Sequence, residues 1–325
     1  MSYKIGLIGA GYWGKNLLRV FSELQALKVV CDTDKDILEK RKKQYPGIEF
    51  SSDLSEVLKK EINAVVIASP VGTHYEIAKK CLESKKDVFV EKPLALKLDQ
   101  GQELVDLAQK NNLILMVGHL LHYHPAIVKL KEVINRGELG SIRYIWSNRL
   151  NFGKLRPEEN VLWSFAPHDI SLILNILGEP KKVSAMGRAY LKQDVPDTTL
   201  SVLEYGDNLA AHIFVSWLNP FKEQKLSVIG SEKMAVFDGI NNELIIYSHK
   251  INFKKDKGYE AIKAEGETMD FENKEALMEE AKHFLDCIEQ RKTPKTDGKE
   301  GLRVLRILDL CQKSLNIREK GEYGS

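Results

Sequence analysis

Short apolar runs alternate with amphipathic stretches through the first third of the chain. The apolar runs predict buried strands at 4–8, 27–30, 50–54, 64–68, 87–90 and 113–117. The stretches between them carry apolar residues at helical spacing and predict helices at 16–24, 35–44, 55–60, 74–83 and 99–111. Strands and helices that alternate in this way are typical of an α/β fold with a doubly wound parallel sheet.

The pattern changes after this alternation. Helices are predicted at 125–136, 169–177, 274–291 and 298–319, and closely spaced strands at 142–150, 182–190, 197–205, 208–217, 225–229, 234–238 and 244–248. Consecutive short strands without intervening helices indicate a large, mostly antiparallel, open sheet. We therefore predict two domains, a doubly wound domain at 1–121 and an α+β domain at 122–325.

Three glycines follow the first predicted strand in the spacing G-x-G-x-x-G. Gly9 permits the tight turn, Gly11 lets the backbone approach a pyrophosphate, and Gly14 allows close packing of helix and strand. Asp32 ends the second strand, where a carboxylate accepts the ribose hydroxyls of NAD and repels the 2′-phosphate of NADP. The motif predicts a dinucleotide-binding Rossmann domain that prefers NAD. Lys35 keeps NADP open, although no arginine directly follows Asp32.

Composition narrows the class of protein. The 325 residues carry a net charge of +2, with lysines dispersed in pairs, which argues against a nucleic-acid-binding protein. The four cysteines are far apart and form no C-x-x-C, so a zinc site or disulfide framework is not indicated. No apolar run is long enough to cross a membrane, and no signal-peptide pattern is present. We expect a cytoplasmic protein.

Polar residues follow two of the parallel strands at the edge where ligands bind. Glu91 and Lys92 end the strand 87–90, and Pro93 restrains Lys92 to an extended backbone. The alternative is a surface Glu-Lys pair. His119 ends the next strand and can line the same crevice. A metal site formed with the following histidines is disfavoured, because they lack helical i, i+4 spacing and a neighbouring carboxylate.

His168 is the second candidate for acid–base chemistry. It follows Pro167 and is predicted to start the helix 169–177. A helix N-terminus disfavours the imidazolium form and leaves the neutral imidazole that a general base needs, whereas Asp169 favours the cation. The alternative is a histidine that only caps the helix.

Five segments together resemble the Gfo/Idh/MocA family, the group of glucose–fructose oxidoreductase and inositol dehydrogenase. They are GAGYWG (9–14), SPVGTHYE (69–76), EKPLAL (91–96), GHLLHYHPA (118–126) and LWSFAPHDISLIL (162–174). The resemblance covers nearly the whole chain. It implies an NAD-dependent oxidoreductase of CH–OH groups of sugars, with a C-terminal domain that binds substrate and forms a homodimer or homotetramer.

The resemblance also assigns site residues. Lys92 and His168 take the places of the family's catalytic lysine and histidine. The predicted cofactor-binding residues are Gly9, Gly11, Tyr12, Trp13, Gly14, Asp32, Ser69, Pro70, His74, Glu91 and Lys92. The chain departs from many members at Ser164, where they carry an aspartate, and at His122, where they carry an arginine.

The segment 149–163 is similar to family members that oxidise nucleotide sugars, UDP-N-acetylglucosamine 3-dehydrogenases among them. Arg149, Lys154 and Arg156 suit a diphosphate, although a mobile charged loop is an equal alternative. The predicted substrate-binding residues are His119, Arg149, Asn151, Arg156, Trp163, His168 and Asp169.

The resemblance implies oxidation of the 3-hydroxyl of UDP-N-acetylglucosamine, or its uronic acid, to a 3-keto sugar in amino-sugar or surface-polysaccharide biosynthesis. Two alternatives are a dehydrogenase of a free polyol or sugar such as myo-inositol, and a non-catalytic sensor that binds NAD(H).

Overall fold

A computed structural model of the chain describes residues 3–153 and 159–320. The strands of its first sheet are β1 (Ile5–Ile8), β2 (Leu27–Cys31), β3 (Glu49–Ser51), β4 (Ala64–Ile67), β5 (Asp87–Glu91) and β6 (Leu115–Gly118). All neighbours pair in parallel, in the order β3-β2-β1-β4-β5-β6. The doubly wound prediction is confirmed. The order reverses between β1 and β4, and ligands bind at such a switch point, outside the carboxyl ends of the strands.

Helices connect these parallel strands. They are α1 (Gly14–Glu23), α2 (Lys35–Gln44), α3 (Leu54–Lys59), α4 (His74–Glu83) and α5 (Leu98–Lys110), with short 3-10 turns at Val71–Thr73 and Leu120–Tyr123. The central strands β1 and β4 are buried along their whole length, because helices cover both faces of a parallel sheet. This burial explains why the sequence of these strands is continuously apolar rather than alternating.

The second sheet is mixed and mostly antiparallel. Its region contains α6 (Pro125–Asn135), β7 (Ile142–Phe152), α7 (Val161–Leu177), β8 (Lys182–Arg188), β9 (Thr198–Gly206), β10 (Leu209–Ser216), β11 (Leu218–Gly230), β12 (Met234–Asp238), β13 (Glu243–Tyr247), β14 (Lys250–Lys254), β15 (Gly258–Ile262) and β16 (Gly266–Thr268). The order of the eight strands is β16-β13-β12-β11-β7-β10-β9-β8, while β14 and β15 form a separate hairpin. The pair β7–β10 is parallel. The predicted large, mostly antiparallel open sheet is confirmed.

The chain folds into two compact units. Each unit combines two separate segments of the chain, whereas two consecutive domains were expected. The first unit comprises Met1–Tyr123 and Glu275–Arg306, and the second comprises His124–Lys274 and Ile307–Ser325. Helix α8 (Ala276–Gln290) and the start of α9 (Gly298–Lys320) therefore belong to the first unit.

The return of α8 is driven by aromatic packing. Phe284 lies edge-on to Phe21 of α1 and Phe89 of β5, with ring centroids 6.5 and 5.6 Å apart. All three rings are fully buried.

Several predicted boundaries are wrong. Strand β7 continues to Phe152, two residues past its predicted end, and α7 begins at Val161, eight residues earlier than expected. Strand β11 is far longer than 225–229, and β14, β15 and β16 were not predicted. In the parts of the chain that the structure describes, no helix is long and apolar enough to cross a lipid bilayer.

Candidate active site

The glycine-rich turn after β1 shows three different steric requirements. A Cβ on Gly9, whose φ is +91°, would lie 2.7 Å from the backbone of Ala68. A Cβ on Gly14 would lie 2.0 Å from the carbonyl oxygen of Gly9. A Cβ on Gly11 would meet no atom within 4 Å. Gly9 and Gly14 are therefore required by the fold itself, whereas Gly11 leaves open space beside the backbone, as a pyrophosphate needs.

Asp32 lies beside this turn, at the end of β2. One carboxylate oxygen accepts the Ala10 N–H at 2.7 Å and the other accepts the Asp34 N–H at 3.0 Å. Sequence reasoning missed Arg41 of α2, whose Nε donates to the Ala10 carbonyl oxygen at 3.3 Å. Because Arg41 reaches the same backbone segment as Asp32, a cation and a carboxylate both lie where the adenosine ribose is expected. The site accordingly fits NAD(P), and this geometry does not separate NAD from NADP.

Trp13 joins the glycine-rich turn to the end of β5. Its indole N–H donates to the Glu91 carboxylate, and Glu91 is buried. Burial raises the pKa of Glu91 to about 7, against the opposing effects of the Trp13 hydrogen bond and the Lys92 charge. Tyr12, in contrast, is 83% exposed with the Lys15 ammonium over its ring. Of these two neighbours in the turn, Trp13 is the residue that the protein holds in place.

His74 joins the segments that follow β4 and β5. One ring nitrogen lies 3.0 Å from the Ser69 carbonyl oxygen, and the other lies 2.9 Å from the Pro93 carbonyl oxygen. Burial lowers the pKa of His74, while the hydrogen bonds to the two carbonyl oxygens oppose this shift because they favour the protonated ring. His74 therefore holds the backbone at Ser69, next to Pro70, and at Pro93, next to Lys92. The turn that contains Ser69 and Pro70 thus has a fixed shape.

Lys92 and His119 are electrostatic neighbours in the first unit. His119 is buried immediately after β6, and burial together with the Lys92 charge lowers the pKa of His119 to about 3. The imidazole is therefore neutral at physiological pH. The rings of His119 and His122 are 6.4 Å apart, and His124 packs against Phe237 instead. Among the residues described, no group of three or more histidine, cysteine or carboxylate side chains is arranged to hold a metal ion.

His168 lies inside α7 rather than at its start, which corrects the argument from a helix N-terminus. The helix begins at Val161, and the Asn160 side chain accepts the Trp163 N–H at 3.3 Å. Pro167 lies within the helix. The helix dipole therefore gives no reason for a neutral His168. Ser164, which stands in the family's aspartate position, is buried one helical turn before His168.

Asp169 points to β7 and not to a free surface. Its carboxylate accepts two hydrogen bonds from Arg149, Nε at 2.7 Å and Nη2 at 3.1 Å, and one from the Ser147 hydroxyl at 2.6 Å. The side chains of Arg149 and Asp169 are 12% and 4% exposed. This bidentate pair locks α7 to the central strand of the sheet. Arg149 and Asp169 thus form a buried ion pair, which the sequence did not indicate.

Trp163 and Asn160 at the start of α7 share one partner. Both donate to the Gln312 side-chain oxygen of α9, Asn160 Nδ2 at 2.8 Å and Trp163 Nε1 at 3.2 Å. Asn151 is half-buried near the end of β7. Lys154 and Arg156, which were predicted to suit a diphosphate, lie outside the described residues.

Comparison with known proteins agrees with the observed fold, because both domains match one family of oxidoreductases. Residues 3–119 match the family profile described as an oxidoreductase family with an NAD-binding Rossmann fold, and residues 127–236 match the GFO/IDH/MocA C-terminal domain. Sequence identity is 26% with UDP-N-acetylglucosamine 3-dehydrogenase of Acidithiobacillus ferrooxidans, covering 93% of this chain and 94% of that protein.

Two further relatives extend the comparison. Identity is 28% with the NAD-dependent scyllo-inositol 2-dehydrogenase of Bacillus subtilis, over 89% of this chain and 86% of that protein. The solved structure of the Acidithiobacillus ferrooxidans UDP-N-acetylglucosamine 3-dehydrogenase superposes with a TM-score of 0.84 at 25% identity, covering 97% of this chain and 98% of that one. The chain belongs to the Gfo/Idh/MocA family of oxidoreductases and is an NAD(P)-dependent enzyme that acts on CH–OH groups of sugars.

Proposed function

We propose that this enzyme is an NAD-dependent dehydrogenase that oxidises a ring hydroxyl of a nucleotide sugar. The favoured substrate is UDP-N-acetylglucosamine or its uronic acid, whose 3-hydroxyl becomes a ketone. The dehydrogenase part of the proposal is supported by the open space at Gly11, on the turn that the Trp13–Glu91 hydrogen bond ties to the end of β5, directly before Lys92. A binding turn for the cofactor and a candidate catalytic ammonium thus lie on one rigid edge of the first sheet. The nucleotide-sugar part is supported by the full-length similarity to UDP-N-acetylglucosamine 3-dehydrogenase of Acidithiobacillus ferrooxidans.

The residues around this edge fit NAD. Gly11 and the N-terminus of α1 suit the pyrophosphate, and Asp32 suits the adenosine ribose. The bound cofactor supplies a nicotinamide ring that accepts the hydride. Asp32 favours NAD by charge, and Arg41 is the residue that would admit the 2′-phosphate of NADP.

In this proposal, His168 is the general base and Lys92 is a hydrogen-bond donor. His168 takes the proton from the sugar hydroxyl that is oxidised, while Lys92 donates a hydrogen bond to the same oxygen. The neutral His119 beside Lys92 adds no positive charge, so the lysine ammonium remains the local cation. Sugar oxidation needs this arrangement because the hydroxyl oxygen gains negative charge as its proton leaves.

A free polyol or sugar such as an inositol is a second candidate, and one observation favours it. Arg149 was predicted to pair with a diphosphate, but its guanidinium already donates two hydrogen bonds to the Asp169 carboxylate. A diphosphate therefore depends on other cations of the segment 149–163, whereas a free polyol needs none.

The roles of Lys92 and His168 are tested by replacing each with alanine. We expect kcat to fall by roughly 100-fold or more in Lys92→Ala and in His168→Ala, with unchanged thermal unfolding. Lys97→Ala is the matched control, because Lys97 is an exposed lysine five residues along the chain. Turnover by Lys92→Ala equal to that of the control would remove Lys92 from the mechanism.

A further inference from the structure

A second carboxyl group, on Glu280, is buried beside Glu91 in the first unit. Glu280 lies on the apolar face of α8 together with Leu277, Ala281 and Phe284, and its side chain is 1% exposed. Within the described part of the chain, neither of its carboxyl oxygens has a hydrogen-bond partner. An ionised carboxylate in such a place would lose its hydration without compensation.

Among the described residues, Glu91 is the charged group that acts on the Glu280 carboxyl, while the nearby Lys295 ammonium lies over the Tyr123 ring, 5.6 Å from its centroid. Glu91 at the end of β5 acts on Glu280 electrostatically, and burial and this repulsion together raise the pKa of Glu280 well above its ordinary value. Tyr123 faces Glu280 from the 3-10 turn after β6, and Cys287 lies on the buried face of the same helix. Burial raises the pKa of both the Tyr123 hydroxyl and the Cys287 thiol, so both groups are neutral.

Glu91 has the stabilising contacts that Glu280 lacks. The Trp13 indole N–H donates to its carboxylate, and the Lys92 charge favours its ionised form. Gly118, its partner on β6, leaves room for the carboxylate, since a Cβ there would lie 3.0 Å from a Glu91 oxygen. If one negative charge resides on the two carboxyl groups, these contacts place it on Glu91.

We propose that Glu280 keeps its proton when the neighbouring Glu91 ionises, so that the one negative charge of the buried pair lies on Glu91, where it holds Trp13 and faces Lys92. The inference rests on the proposed function, because Lys92 is the catalytic residue whose surroundings the pair fixes. A second carboxylate at Glu280 would repel Glu91 and weaken its hold on the cofactor turn.

The first test is chemical unfolding of Glu280→Gln between about pH 5 and about pH 8. A carboxyl that is protonated when folded and ionised when unfolded lowers the folding constant about tenfold per pH unit. Glu280→Gln lacks this carboxyl. For each pH unit, its folding constant should therefore lose a factor of about ten less than the folding constant of the wild type. Glu289→Gln, an exposed position on α8, should keep the wild-type slope. Equal slopes for Glu280→Gln and the wild type would overturn the proposal.

The second test follows the Trp13 fluorescence with pH, taken as the difference from Trp13→Phe. Glu280 is neutral while Glu91 titrates, so the midpoint should be the same in the wild type and Glu280→Gln. A midpoint lower by about a unit in Glu280→Gln would show that Glu280 is ionised first, against the proposal.

Turnover then shows whether the Glu280 carboxyl itself takes part in the reaction. The amide of Glu280→Gln is also neutral, so its kcat at neutral pH should stay within about threefold of the wild type. A loss of about tenfold or more would show that the carboxyl itself is used. If the wild type oxidises no sugar, the proposed function fails, while unfolding and fluorescence still decide where the proton resides.

Discussion

Replacement of Gly11 by alanine separates cofactor binding from folding. A methyl group at this position meets no protein atom within 4 Å. Gly11 is also absent from the residues with positive φ, so alanine adopts its backbone without strain. The free energy of unfolding should therefore change by less than about 1 kcal/mol.

Binding of the cofactor should respond in the opposite way. The methyl group of Gly11→Ala occupies the space in which the pyrophosphate is expected to approach the backbone. A steric block of this kind should weaken NADH binding at least about tenfold, or about 1.4 kcal/mol. A fluorescence titration of NADH measures the binding, and urea unfolding measures the stability.

Two other glycines provide the controls. Gly14→Ala places a Cβ 2.0 Å from the Gly9 carbonyl oxygen, so it should destabilise the fold by about 1–3 kcal/mol or more. Gly47→Ala meets no atom within 4 Å and lies away from the turn, so both measurements should stay at wild-type values. NADH binding by Gly11→Ala as tight as by Gly47→Ala would refute the assignment of the turn to the pyrophosphate.

The remaining predictions concern charge and capping. Arg149→Leu should lower the free energy of unfolding by about 3–5 kcal/mol, because it leaves Asp169 buried without its cation, and Asp169→Asn in the same chain should restore part of the loss. Asn160→Ala removes the acceptor at the start of α7 and should cost about 1 kcal/mol in urea unfolding. Asp32→Ala should weaken NAD more than NADP in parallel titrations. Folded Glu91 keeps its proton up to about pH 7, while the unfolded chain ionises near about pH 4.3, so wild-type stability falls across that window. Glu91→Gln should remove about 3 kcal/mol of this fall, measured by unfolding at both ends of the window.

Equal weakening of NAD and NADP binding in Asp32→Ala would contradict the assignment of Asp32 to the adenosine ribose. Full stability of Arg149→Leu would show that the ion pair contributes nothing. A stability loss in Asn160→Ala of several kcal/mol would mean that the contact with Gln312, not the cap, dominates. A wild-type pH dependence in Glu91→Gln would place the titrating group elsewhere.

The parallel sheet could be predicted from sequence because its signals are local. Continuous apolar runs marked the strands, and the glycine spacing marked the turn after β1. The start of α7 could not be read in the same way. Pro167 suggested a helix beginning, because proline is common there, but the helix continues through it from the Asn160 cap.

The missed contacts are not local. Arg149 and Asp169 pair between strand and helix, and Glu280 reaches Glu91 because α8 returns to the first unit. In the sequence, Glu280 is only one acidic residue in an amphipathic helix. The hairpin β14–β15 was missed because nearly all of its residues are exposed, so no buried apolar face marks either strand.

The most direct test of the account is NADH formation by the purified enzyme, with UDP-N-acetylglucosamine and myo-inositol assayed side by side and NAD as the oxidant. We predict NADH formation with the nucleotide sugar and much less with the inositol. Activity with inositol alone would contradict the nucleotide-sugar assignment and favour the free-polyol alternative.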